Sequence, residues 1–179
     1  ICSPGGVLSE ADPVDVPQLT PDELSAIVSE THAWKRKVAA HSHGDLAARQ
    51  AVEAGVDSIE HGSFLSIETL KLMKAKGTYL VPTRLAVYWV NQMASTYPPA
   101  IAAKARATLT GHEKMFREAL KLGVPIAFGT DSGVSPHGMN GKEFALMVEI
   151  GMQPSAALLS ATRESAKLLG ISNEVGTLE

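Results

Sequence analysis

The sequence predicts an α/β fold built on a parallel sheet, and three observations carry that reading. Short apolar runs alternate with longer stretches of helical periodicity. Three of those helical stretches stop at a glycine, namely Gly55, Gly77 and Gly123. Three of the four apolar runs end in a residue able to bind a metal or move a proton: His41, His61 and Asp131.

Taken in order, Thr20-Pro21-Asp22-Glu23 starts the first helix, with Thr20 as cap, Pro21 at the first position and Glu23 completing a capping box. That helix runs to about Trp34. Lys37–Ala40 reads as a buried strand ending at His41, followed by a helix from Asp45 to about Glu53. Val56–Glu60 is a second strand, ending at His61, followed by a helix over Ile67–Lys76. Thr78–Val81 is a third strand closed by Pro82, and a long helix spans Pro99–Leu122. Pro125–Phe128 is a fourth strand, ending in Gly129-Thr130-Asp131, and two helices follow over Lys142–Ile150 and Pro154–Leu169.

Composition narrows the function. The 179 residues are 45% hydrophobic and 20% charged, as in an ordinary globular domain. No apolar run approaches the roughly 20 residues of a membrane-spanning helix. With 16 Lys and Arg against 19 Asp and Glu, the net charge of −3 leaves no basic footprint for nucleic acid. The single cysteine, Cys2, excludes an internal disulfide framework and a Cys-rich zinc module. These exclusions leave a small-molecule substrate among the open classes.

Parallel strands gather their carboxyl ends on one rim, so His41, His61 and Asp131 converge although they lie 20 and 70 residues apart. Two neutral imidazoles and a carboxylate suit zinc or a similar divalent ion, and the carboxylate can also take a proton from water. Each residue alone has a plainer reading, as a loop or capping residue. His43, two residues past His41, shares its face in an extended segment and points into the same rim. Arg84, beyond the third strand, is placed to meet a substrate carboxylate with two N–H groups. His137 with Gly138 shapes the loop after the fourth strand and is a further candidate substrate contact. His32 and His112 lie in helical patterns and read as surface or packing residues, and Tyr79, Tyr88 and Trp89 as packing aromatics.

Ala40-His41-Ser42-His43-Gly44, Gly55-Val56-Asp57-Ser58-Ile59-Glu60-His61-Gly62 and Gly129-Thr130-Asp131-Ser132 together resemble the amidohydrolase superfamily. Within it they are most similar to the imidazolonepropionase-like and Xaa-Pro dipeptidase-like branch. Gly5-Gly6-Val7-Leu8-Ser9, Ser135-Pro136-His137-Gly138 and Gly151-Met152-Gln153-Pro154 support the likeness, which covers nearly the whole chain.

The resemblance implies a (β/α)8 TIM-type barrel whose fifth to eighth strands lie in residues 1–179. It implies His41, His61 and Asp131 as metal ligands, Asp131 as the base and His43 as a substrate contact. It implies a divalent metal, two zinc ions in the family pattern, bridged by a carboxylated lysine just before Ile1. The implied activity is hydrolysis of an amide-type C–N bond in a dipeptide or N-acyl amino acid, with a cyclic-amide hydrolase or deaminase as neighbouring chemistry. His41-Ser42-His43 also has the form of a first-strand His-x-His. Only 136 residues follow His43, however, while a complete barrel takes about 250. The expected partner is then the first half of the barrel, in the same chain or a companion fragment, and a homo-oligomer is compatible with it. A non-catalytic α/β binding module is the reading from a different class. No compartment is implied.

Overall fold

The structure, a computed structural model, describes residues 1–9 and 13–177. Strands β1 (Ala39–Ser42), β2 (Ser58–His61) and β3 (Tyr79–Val81) form a parallel sheet in sequence order. Ala40 stands opposite Ile59, His41 opposite Glu60, and Ile59 opposite Leu80. Both edges continue by one parallel bridge each. On one side His41 N–H donates to Ile1 and Ser3 N–H donates to the His41 carbonyl, at 2.9 and 3.0 Å. On the other, Leu80 N–H reaches Pro125 and Ala127 N–H reaches Leu80, at 2.8 and 3.0 Å.

Helices α1 (Pro21–Ala33), α2 (Asp45–Ala54) and α3 (Ile67–Lys76) follow the sequence reading closely, and α1 carries the expected capping box at Thr20 and Glu23. Apolar side chains of α2 and α3 (Ala51, Val52, Leu70, Met73) pack on Ala40, Ile59 and Leu80, all fully buried. The other strand face turns away from these helices. The first strand starts two residues later than Lys37, because Val38 N–H donates to the Asp57 carboxylate at 2.8 Å instead of to a neighbouring strand.

Three elements differ from the sequence reading. The fourth run forms only the bridge at Ile126. Pro125 has no N–H to give a ladder, and Phe128 N–H donates to the Ser160 carbonyl at 3.2 Å. That carbonyl sits at the start of a π-turn, Ser160–Glu164, which separates α7 (Pro154–Leu159) from α8 (Ser165–Leu169). The expected single helix over Pro154–Leu169 is thus opened where the strand end docks. Between β3 and the long helix α5 (Pro99–Leu122) lies a helix with no sequence counterpart, α4 (Arg84–Gln92), ended by a short 3₁₀ turn at Ala94–Thr96. Helix α6 (Lys142–Glu149) packs against α4. The described residues form an open sheet and do not close a barrel.

Candidate metal centre

The three histidines expected near the rim meet there. Rings of His41 and His61 lie 4.7 Å apart, His43 and His61 stack at 4.7 Å, and His41 and His43 are 5.0 Å apart. One nitrogen from each falls within 4.8 Å of the others, a spacing that a single cation can span. Strand alternation would send His61 to the helix side, since it shares parity with Ile59. Its φ of +69° breaks that alternation and swings the ring into the site. Asp131, at φ +51°, makes the same turn at the end of the fourth run.

Hydrogen bonds decide which nitrogens are free. Thr83 Oγ1 donates its one proton to the Pro82 carbonyl at 2.8 Å. It must therefore accept from His61 Nδ1–H, 2.5 Å away, which leaves the Nε2 lone pair of His61 available. His43 Nδ1 is engaged by Ser63 Oγ at 2.9 Å, so only its Nε2 remains to face the site. Ser63 is brought close by α5, where Gly111 would put any Cβ 3.0 Å from the Ser63 carbonyl and 2.5 Å from the Phe64 ring.

Electrostatics keeps the cluster neutral. Burial pushes the His43 pKa down to about 3, helped by the adjacent His41 and His112. Burial and the other two imidazoles hold His61 well below the ordinary histidine value. His41 is lowered by burial, against the opposing pull of Asp131 and of a hydrogen bond to the Gly5 carbonyl. Neutral imidazoles, not imidazolium groups, face the site at neutral pH. The donor set fits a zinc-like ion.

A cavity of about 200 Å³ opens onto the cluster and is lined also by Asp131. Its remaining wall is mostly apolar, from Val7, Leu8, Val87, Val90, Ala105 and Val134. Thr108 adds a hydroxyl that is buried without a partner among the described residues.

Arg84 and His137 are not brought to this wall. Arg84 was expected in a loop facing substrate, but it opens α4, is 5% exposed and pairs with Glu113. Its Nη2 is taken by Glu113, which is 40% exposed, while Nε and Nη1 are buried without a partner among the described residues. His137 is exposed on the loop after the fourth run. His112 takes the packing alternative: it is fully buried on α5, with Nε2 bound to the Pro82 carbonyl at 2.8 Å. Thr83 and Ser63, which orient His61 and His43, follow strand ends by two residues each, a position that sequence reasoning passed over.

The amidohydrolase family pattern matches residues 1–179. The chain belongs to the amidohydrolase family. An ochratoxinase of Aspergillus niger is 35% identical over 172 residues, covering 95% of this chain and 35% of the relative. Among solved structures, a Xaa-Pro dipeptidase with methionine bound in its active site is 44% identical with a TM-score of 0.95, covering 99% of this chain and 45% of that one. A prolidase complexed with N-methylphosphonate-L-proline is 29% identical with a TM-score of 0.89, covering 99% and 44%. This amidohydrolase chain thus spans less than half the length of these relatives. Family membership implies a TIM-type barrel for the fold to which this open sheet contributes.

Proposed function

We propose that the protein is a metal-dependent hydrolase that cleaves an amide-type C–N bond in a dipeptide or N-acyl amino acid. One observation carries this reading: three neutral histidines on one rim, with Nδ1 of His43 and His61 already engaged and Asp131 across the same cavity. The dipeptidase and prolidase likenesses support the substrate class. We further propose that residues 1–179 supply the second half of the barrel, β1 to the Ile126 segment being its fifth to eighth strands. The parallel bridge at Cys2 supports an adjoining fourth strand, whose terminal lysine, carboxylated, would stand beside His41.

In this reading His41 and His61, with His43 within reach, hold the metal through imidazole nitrogen. A divalent ion bound there supplies Lewis-acid polarisation of the substrate carbonyl and lowers the pKa of water. Asp131 accepts the proton of the attacking water at a carboxylate oxygen and delivers it to the departing nitrogen. The apolar wall of α4 and α5 seats an apolar substrate side chain and excludes bulk water, which strengthens every charge interaction at the rim.

The test is Asp131→Asn, assayed on dipeptides and N-acyl amino acids with zinc content measured on the same samples. Asn keeps the shape but cannot take a proton. Turnover is expected to fall at least 10²–10⁴-fold, about 3–5 kcal/mol, while zinc is largely retained. A variant keeping more than about a tenth of the wild-type rate removes Asp131 as base. His41→Ala or His61→Ala is expected to lower zinc content itself.

A further inference from the structure

The turn that ends β3 is held by residues far from it in sequence. The Pro82 carbonyl accepts from His112 Nε2 on α5. The next two free amides, Arg84 and Leu85 N–H, donate to the two carboxylate oxygens of Glu143 on α6, at 2.8 and 2.5 Å. Glu143 is fully buried, and its carboxylate does what an N-cap side chain does elsewhere, since Thr83 makes no cap bond to its own helix. Thr83 itself sits at φ +46°, a conformation a β-branched residue keeps only when its surroundings enforce it. Its hydroxyl, committed as donor to Pro82, presents an acceptor to His61 Nδ1. The contacts form one path: Glu143 fixes the first amides of α4, those fix Thr83, and Thr83 fixes the proton on His61.

We propose that Glu143 is a positioning residue, acting through the Thr83 turn to hold His61 in its Nδ1–H tautomer with Nε2 turned to the site. The importance of this for the ion rests on the metal-centre reading above, but the tautomer does not. Partners of this kind commonly alter metal affinity 10–100-fold when removed.

The experiment uses the full-length protein. In its metal-free form, ¹⁵N NMR of the His61 ring is expected to show a single Nδ1–H tautomer. Glu143→Gln, which can satisfy one amide but not both, and Thr83→Val, which keeps the β-branch and loses the hydroxyl, are each expected to give mixed tautomers. In a chelator competition each weakens zinc binding about tenfold or more. The double variant is no worse than the weaker single one, because both cut the same path. Thr20→Ala, which loosens the distant α1 cap, leaves the His61 tautomer and zinc affinity unchanged. Should Glu143→Gln not fold, Glu143→Asp, one methylene short of the amides, takes its place. A wild-type His61 without the Nδ1–H tautomer, an unaltered tautomer in the Glu143 variant, or multiplicative effects in the double variant would overturn the proposal. A protein that shows the tautomer coupling yet binds no zinc overturns the metal centre alone.

Discussion

Helices α3 and α4 both begin just after a strand end that carries a site histidine or its support, yet they are started by opposite means. At α3 the cap is three residues from its target: Ser66 Oγ accepts from Thr69 N–H at 3.2 Å. At α4 the cap comes from Glu143, 58 and 59 residues away, across a fully buried contact. The first start is written locally and costs little to lose. The second exists only once α6 has packed, so it links the folded core to the histidine site.

That contrast sets the order of expected effects. Glu143→Ala leaves two buried amides without acceptors and is expected to lower stability by about 2–5 kcal/mol in urea unfolding. Gly111→Ala drives a Cβ into the Phe64 ring and Ser63 carbonyl, with an expected loss of about 1–3 kcal/mol by the same measurement. Ser66→Ala is expected to cost about 1 kcal/mol. A Ser66 variant as damaging as the Glu143 one would erase the distinction between the two starts.

The finest comparison uses pH. Burial raises the Glu143 pKa to about 7 from the ordinary 4.5, over the opposing pull of its two amide donors and Arg84. The folded chain then binds more protons than the unfolded one between those values, so this group's contribution falls as pH rises from 4.5 through 7. Burial lowers the His112 pKa to about 4 from 6.5, so its contribution falls as pH drops from 6.5 through 4. Relative to wild type, Glu143→Gln is expected to gain stability toward pH 7 and His112→Phe toward pH 4. Urea midpoints of the metal-free protein across this range check the two opposite slopes.

The same contrast explains what could be read from the chain. The strand-end residues His41, His61 and Asp131 were legible because parallel topology makes their convergence a matter of position. Helices with local signals were legible too: Thr20 and Glu23 at α1, Gly77 after α3, Gly123 after α5. Helix α4 was not, since its cap lies on another helix and Thr83 offers no cap bond of its own. Sequence alone therefore leaves Arg84 in a loop, free to meet substrate. The fourth strand was read too long because the acceptor that takes Phe128 N–H, the Ser160 carbonyl, is opened by a π-turn some thirty residues later.

Among the described residues, four without the licence of glycine hold positive φ, and three of them, His61, Thr83 and Asp131, form or support the site. Each such residue carries a backbone cost of about 1–3 kcal/mol that glycine would not. At these positions random mutation toward a hardier chain and selection for a working one pull in opposite directions. Glycine there relaxes the backbone and erases the proposed ligand, its anchor or the proposed base. A population screened for heat resistance alone would thus be drawn toward loss of the site, beginning at the rim.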